Sequence, residues 1–214
     1  LDSVQADFRL AGRRLQLDRS TAAFSGGTWA GSAVLDFSAG APAYRLTGRI
    51  RNASLAALAA LSASLQGTAA GQASGLIWLT SSGWTSPEVL DNLSMRMRLE
   101  GHDLVLRNVD LEGAAGGGSS GPAGLSQIER FTAHLAVERG RIRLQQALLV
   151  APSATFQATG TVGFDQAADF AILPMNDARA HAFRLVGRLD SPQVRPAAGP
   201  EGERAVPAAS RSDR

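Results

Sequence analysis

The chain has 214 residues, of which 44% are apolar and 19% are charged, so it can build one large domain with a sizeable core and is not a charge-driven disordered chain. All 21 basic residues are arginine, Cys is absent, and the net charge is +2. These counts exclude a disulfide framework and cysteine chemistry. They also argue against nucleic-acid binding, since a surface that binds nucleic acid needs clustered positive charge.

Alternation of apolar and polar residues dominates the chain, as is typical of strands with one buried face. Short turns such as Ala11-Gly12, Glu100-Gly101-His102 and Arg139-Gly140 have hairpin spacing, so consecutive strands are expected to pair as a meander. The sequence predicts strands at 4–10, 14–18, 28–37, 44–51, 72–80, 94–100, 103–111, 131–138, 141–149, 154–164, 168–173 and 183–190.

Two segments interrupt the alternation. Residues 52–65 place leucines three apart and predict a short helix capped by Ser54 or Asn52, and residues 86–93 predict a second one with Ser86 as the N-cap and Pro87 in the first position. Residues 113–124 are expected to form a flexible Gly/Ser loop, and 196–214 a disordered tail after a single domain at 1–195.

One short phrase recurs as FRLAGR at 8–13, YRLTGRI at 44–50 and FRLVGRL at 183–189. Its arginines either form the solvent-exposed face of an amphipathic strand or act as ligands for phosphate or lipid head groups. Its glycine weakens a strand, so its recurrence indicates a sheet that must curve or that leaves room over its apolar face.

No pattern in the sequence favours catalysis or metal binding. The histidines at 102, 134 and 181 lack partners at metal-ligand spacing, and GGGSSG at 116–121 lacks the lysine and the context of a phosphate loop. The acidic pairs Asp2 with Asp7 and Asp165 with Asp169 have no evident cleft, and no G-x-S-x-G motif occurs. No enzyme, cofactor or metal is therefore expected.

The apolar strand faces together form one wide surface that must be covered. Two packed sheets would cover it, as in a β-sandwich. Alternatively, the surface lines a curved sheet whose hollow holds something else. The fold class predicted is mainly β: a long curved antiparallel meander sheet with an apolar groove and one or two short helices.

The run from Leu35-Asp36-Phe37 to 111 resembles the C-terminal region of AsmA-like proteins of the bacterial envelope. The order of parts is similar: a strand ending Leu-Asp-Phe, a Leu-rich helix at 54–63, Leu65-Gln66-Gly67, a helical turn near Leu90, and a hairpin at 99–104. In the second half, 131–140, 142–150, 158–165 and 183–194 resemble the closing strands of that family.

The resemblance implies a non-enzymatic periplasmic protein of envelope biogenesis, at the periplasmic face of the inner membrane and anchored by a segment outside this chain. It implies a groove that shelters or conducts phospholipid tails and supports outer-membrane assembly, with envelope proteins as further partners. The alternatives left open are a β-sandwich binding or adhesion module with an Arg-rich face, and, more distantly, an enzyme.

The candidate residues follow from the alternation. Candidate head-group or surface contacts are Arg45, Arg49, Arg184 and Arg188. The lipid-groove candidates are Phe8, Leu10, Tyr44, Leu46, Ile50, Phe131, Leu135, Val137, Phe156, Val162, Phe164, Phe183, Leu185 and Leu189.

Overall fold

A computed structural model describes residues 3–24, 26–60, 66–117, 124–175 and 180–197. The described residues form one sheet in which each strand pairs antiparallel with its neighbours in the chain, from β1 to β12. The strands are β1 (Ser3–Ala11), β2 (Arg14–Phe24), β3 (Gly27–Asp36), β4 (Ala43–Ser54), β5 (Ala69–Ser82), β6 (Ser94–Arg107), β7 (Leu125–Glu138), β8 (Arg141–Val150), β9 (Thr155–Gly163), β10 (Ala167–Pro174), β11 (Phe183–Arg188) and β12 (Ser191–Pro196).

The antiparallel meander predicted from the alternation is confirmed. Two sheets packed face to face are not what the described residues form, because all twelve strands belong to one sheet with edges at β1 and β12. Three short helices lie between strands, one more than the upper number expected: α1 (Leu55–Ala59), α2 (Ser86–Asp91) and α3 (Leu111–Ala115).

The helix caps differ in part from the sequence prediction. Ser54 Oγ accepts a hydrogen bond from Ala57 N, as predicted for a cap, whereas Asn52 belongs to β4. The N-cap of α2 is Thr85 rather than Ser86, and Thr85 forms a capping box with Glu88. The prediction at Ser86 was wrong by one residue, because the threonine offers the same hydroxyl. Residues 61–65 of the predicted first helix lie outside the described residues.

The hairpin predicted at 99–104 is wrong, because β6 continues through it as one strand of 14 residues. Asp103 lies there with φ of 53°, in the left-handed region that aspartate tolerates better than most residues. The register between β5 and β6 shifts at this point. A glycine beside a left-handed residue marks a bulge here rather than a turn.

The Gly-rich segment is also more ordered at its start than predicted. Residues 111–115 form α3, which Asp110 caps by accepting a hydrogen bond from Gly113 N at 2.9 Å. Residues 118–123 of the predicted loop lie outside the described residues. At the other end, β12 extends to Pro196, the first residue of the predicted tail, and 198–214 lie outside the described residues.

Four alternate strands each carry one bulge. In β2, β4 and β6 the bulge contains a residue with positive φ, namely Arg19 (47°), Asn52 (51°) and Asp103 (53°). In β8 the extra residue is Gln145. A bulge bends its strand and increases the local twist, so these four bulges curve the sheet.

Each bulge also reverses which sequence positions face inward. In β4 the inward residues are even-numbered up to Ile50 and odd-numbered from Ala53 onward. In β8 the inward set passes from Leu144 to Ala147 across the bulge. Without the extra residue, the second half of each strand would turn its apolar side chains to the wrong face.

The curvature buries one side of a single sheet. Phe156, Ile128 and Phe183 are at most 2% exposed, although the described residues form no second sheet that could lie over them. They belong to one cluster of buried residues from β5 to β11 and α3. A flat sheet would leave this face in water, so the strands curl around their own side chains.

Asn52 tests the bulge in β4. We expect Asn52→Val to lower the free energy of unfolding by about 1–2 kcal/mol, because a β-branched residue is strained at positive φ. Asn52→Gly is the matched control and is expected to cost less, since glycine accepts this φ. Urea denaturation followed by circular dichroism measures both. Equal losses would assign the effect to the amide side chain, which lies 3.5 Å from Ser74 Oγ, and not to the backbone.

Candidate functional site: the apolar face of the sheet

Strand register places the apolar residues of all twelve strands on one side. One row across the sheet runs from Phe8 through Leu46 and Val137 to Val162. Neighbouring residues in such a row pair directly across strands, so the apolar face is continuous from β1 to β12. The complete row is Phe8, Leu17, Ala33, Leu46, Leu79, Met95, Val137, Ile142, Val162, Ala168, Gly187 and Pro192.

Most predicted groove residues lie on this face. Twelve of the fourteen belong to strands and share it through the register. Phe164 and Leu189 lie in turns after β9 and β11 instead, and the amide nitrogens of these two residues donate to Gly140 O and Gln166 O. At both positions the apolar–polar alternation continues in the sequence beyond the end of the strand, but the side chain no longer belongs to the sheet.

Several glycines of this face lie under aromatic rings from the same strand or an adjacent one. Gly31 and Gly48 pair across β3 and β4, and a Cβ at either would overlap the ring of Trp29. The ring of Phe131 covers Gly101 in the same way, and that of Phe170 covers Gly160. The space that the glycines leave over the apolar face is thus occupied by the chain's own aromatic residues, an arrangement that pins register and shields exposed backbone.

The three copies of the repeated phrase have different structural roles. Gly48, in the second copy, lies in mid-strand beneath Trp29. Gly12, in the first, forms the turn after β1 with φ of 58°, and Gly187, in the third, has φ of 102° and no aromatic ring over it, since a Cβ there would meet only Ser191 O at 3.9 Å. The likeness in sequence reflects amphipathic strands and not one repeated site.

The C-terminal part of the apolar face is filled. Phe156 is 0% exposed and Ile172 4%, and α3 closes this end of the sheet with Leu111 buried. Buried Ser126 holds the segment before α3, since its Oγ donates to Val109 O and accepts from Leu111 N, both at 2.9 Å.

Two further contacts fix α3 across the sheet. Glu112 accepts hydrogen bonds from the backbone and side chain of Ser153, in the turn between β8 and β9. His181 N donates to Ala115 O at 3.0 Å, just before β11. The helix therefore ties three separate parts of the sheet together at one end of the strands.

The N-terminal part of the same face is open. Phe8 is 76% exposed and Leu10 68% exposed, whereas Val137 and Val162, in the same row as Phe8, are buried. Between these extremes, the apolar residues of β2 to β4 on this face are half-buried, except for Ile50 and Ala53, which are buried. Among the residues of these three strands, the groove candidates predicted from the sequence include only Tyr44, Leu46 and Ile50. The half-buried residues that this prediction missed, and that the same alternation could have identified, are Leu15, Leu17, Trp29, Val34 and Leu35, of which Val34 faces the opposite side.

At the end of the strands opposite α3, hydrogen bonds hold the segments around α2 together. Tyr44 Oη donates to Gly83 O at 3.0 Å, and Ser81 Oγ donates to Val89 O. Trp84 Nε1 donates to Gly40 O at 3.0 Å, and its ring lies 6.4 Å from that of Phe37. Tyr44 thus contributes a fixed polar contact at the rim of the apolar face.

The four predicted arginine contacts lie on the opposite, polar face. Arg184 pairs with Asp169, and Arg188 with Asp190 at 3.0 Å, so both guanidiniums already have carboxylate partners. The hydrogen bond from Arg188, followed by that from Ser191, holds the pKa of the Asp190 carboxyl below its usual value.

Arg45 and Arg49 form no ion pair with any residue that the structure describes. Arg49 lines a depression of about 520 Å³ on the polar face, together with Arg51, Arg98 and His134. This basic depression and the apolar face lie on opposite sides of one sheet. A lipid whose tails lay on the apolar face could not reach it with its head group except around an edge.

Of the residues considered for catalysis, Asp2 lies outside the described residues and Asp7 pairs with Arg19. His102 lies 2.8 Å from Asp103 at an exposed position, and Asp169 is paired with Arg184. Asp165 Oδ1 accepts a hydrogen bond from Ala167 N. In the part of the chain that the structure describes, no three acidic, His or Cys residues cluster as metal ligands would, and no helix has the length and apolar character needed to cross a bilayer.

Comparisons with protein-family models, with curated protein sequences and with solved structures find no match to this chain. The AsmA-like resemblance therefore remains an interpretation of its strand order, and function has to be argued from the geometry of the sheet.

Gly48 tests the glycine–aromatic packing. We expect Gly48→Ala to lower the free energy of unfolding by about 1–3 kcal/mol, because the added Cβ overlaps the Trp29 ring and lies 2.6 Å from Ala30 O. Gly40→Ala is the control, since nothing lies within 4 Å of a Cβ there. Urea denaturation compares the two. A Gly48→Ala loss as small as that of Gly40→Ala would show that Trp29 moves away without cost.

Proposed function

We propose that this chain is a non-enzymatic protein of the bacterial envelope that shelters or conducts phospholipid tails along its apolar face. In this proposal it works in the periplasm, next to the inner membrane, and supports assembly of the outer membrane. The observation that carries the proposal is the apolar strip of β1 to β4, exposed at Phe8 and Leu10 and half-buried at Leu17 and Leu46, which continues the face that holds the buried cluster of β5 to β11.

The strip has the character of a binding surface. Contiguous exposed apolar residues on a protein surface can mark a site of interaction. Phe8 and Leu10 lie at its outer edge, and Leu46 and Trp29 are half-buried further in. Four strands about 4.8 Å apart make a surface about 14 Å across between the outer backbones, which offers width for an alkyl chain.

The energetics favour an apolar guest. Removing a CH₂ group from water gains about 0.8 kcal/mol, so a tail of about sixteen carbons would lose on the order of 12 kcal/mol if it crossed water bare. A continuous apolar face offsets most of this loss and needs no polar contact along the tail. This accounts for a sheet with a well-defined apolar side and no cluster of catalytic groups.

The burial gradient supports a direction along the sheet. The face is exposed at Leu10 (68%), half-buried at Leu46 and filled by the protein's own side chains at Phe156 (0%), although Ile50 of β4 is already buried. A tail would therefore bind over β1 to β4, and α3 with Phe131 would block its further passage. The polar-face arginines would serve a separate anionic surface, such as neighbouring head groups.

Lipid carried through purification gives the first test. We expect native mass spectrometry and organic extraction to detect phospholipid with the wild-type chain, and less with Leu46→Gln, which places an amide on the apolar face. Arg45→Gln, one residue away on the polar face, is the matched control and should keep its lipid. Circular dichroism checks that both variants fold. Absence of lipid from the wild type, before and after addition of phospholipid, would contradict the proposal.

Tryptophan fluorescence locates the tail. Trp29 lies on the apolar face and Trp78, which is 41% exposed, on the polar face. In a chain with Trp78→Phe and Trp84→Phe, we expect phospholipid with brominated tails to quench Trp29. In the matched chain with Trp29→Phe and Trp84→Phe, the fluorescence of Trp78 should not be quenched. Equal quenching of the two would indicate adsorption to lipid without a binding face.

A second candidate function is favoured by the basic depression. Arg49, Arg51 and Arg98 line it with only Glu100 as a nearby carboxylate, so it would suit an anionic partner in a binding or adhesion role. Binding of an acidic polysaccharide that Arg49→Gln with Arg98→Gln abolishes, together with no lipid on the wild-type chain, would favour this function over the first.

A further inference from the structure

The two edges of the sheet differ in their capacity to accept another strand. Edge strands present unpaired N–H and C=O groups, and proteins commonly protect them with proline or charge. In β12, Pro192 and Pro196 remove two backbone donors. In β1 there is no proline, all nine residues but Ala6 are exposed, and Val4, Phe8 and Leu10 are 61%, 76% and 68% exposed.

The polar side of β1 carries an acidic and a basic residue whose charges are not fully balanced by residues of β2. Asp7 lies directly opposite Asp18 of β2. Exposed Arg19 pairs with Asp7 at 2.6 Å, and Gln16 Nε2 donates a hydrogen bond to Asp18 Oδ1 at 2.9 Å, so among the described residues one positive charge serves two carboxylates. Arg9 lies opposite Gln16 and forms no ion pair with any described residue. The edge thus carries an acidic position and an unpaired basic position two residues apart.

A second copy of β1, running antiparallel, matches this pattern in one register. When Phe8 lies opposite Phe8 of the second copy, Asp7 lies opposite Arg9 and Arg9 opposite Asp7, by the symmetry of the pairing. A shift by one position that places Asp7 opposite Asp7, or Arg9 opposite Arg9, instead sets like charges together. Of these registers, the one centred on Phe8 satisfies both charges and pairs two aromatic rings.

We infer that the edge of β1 is a self-association surface, through which two copies of this chain join as an antiparallel β1–β1 pair centred on Phe8. The two-fold axis then stands perpendicular to the sheet, so the apolar faces of the two copies lie on the same side. The exposed Phe8 and Leu10 become interior positions of one longer apolar face. The inference stands whether or not lipid occupies that face.

Disulfide trapping tests the register. The chain has no Cys, so Phe8→Cys introduces a single thiol opposite its own copy. Under mild oxidation we expect a disulfide-linked dimer from Phe8→Cys, because side chains directly opposite in such a pair have Cβ atoms about 5 Å apart. Ala6→Cys and Leu10→Cys are matched controls on the same face, and each lies offset from its own copy. Equally rapid trapping at Ala6 or Leu10 would overturn the register.

Charge reversal tests the pairing without a covalent bond. Analytical ultracentrifugation of the full chain should show a reversible dimer. Arg9→Asp and Asp7→Arg, each alone, place like charges opposite each other, and we expect either change to raise the dimer dissociation constant by about tenfold or more. A mixture of the two variants restores opposite charges at both positions, so heterodimers should form where neither variant dimerises alone.

The same measurements can overturn the inference. A wild-type chain that sediments as a monomer at every accessible concentration would exclude self-association. A dimer that Arg9→Asp and Asp7→Arg leave intact, or a mixture that fails to recover association, would exclude β1 as its surface. Circular dichroism melts of the single variants distinguish a lost interface from a lost fold, and lipid binding by a monomer would leave the function proposed above in place.

Discussion

The structure depends on keeping every apolar side chain on one side of a sheet that bends. A strand of 12 or 14 residues with strict alternation would stay too straight to bury its own face, since no second sheet covers it. Bulges at Arg19, Asn52, Asp103 and Gln145 bend alternate strands, and the apolar positions change parity at each of them. Sequence pattern and backbone geometry therefore change together at the same residues.

The strands and their meander order could be predicted from sequence because period-two alternation depends only on local pairs of residues. The bulges were missed, although the change of parity between Ile50 and Ala53, or between Leu144 and Ala147, is visible in the sequence. At Gly101 the same change was interpreted as a hairpin. A turn and a bulge both use glycine and left-handed residues, and only the pairing partner distinguishes them.

The predicted groove residues show what alternation can and cannot supply. It placed Phe156 and Leu46 on one face correctly, but the first is 0% exposed and the second half-buried. Exposure depends on how far the sheet curls and on where α3 packs, and neither is a local property. The aromatic cover over Gly48 and Gly101 likewise requires knowledge of which strands lie side by side.

The resulting molecule divides its apolar face between its own core and an open margin. The cluster of buried residues lies in β5 to β11 with α3, whereas the apolar face is half-buried at most positions of β2 to β4 and exposed at β1. This gradient links the two proposals, because the margin offers both an apolar surface for a tail and an unpaired strand edge.

A strictly sequential strand order has a kinetic consequence. Each strand hydrogen-bonds only to the strands before and after it in the chain, so unfolding can begin at one margin and advance strand by strand, as in a linear repeat array. Amide protons of β1 would then exchange with solvent through small local openings, whereas those of β7 to β9 would exchange only on global unfolding. A ligand or partner that binds to the first four strands would slow amide exchange in that region. Amide exchange of the native protein would therefore report whether the surface is occupied.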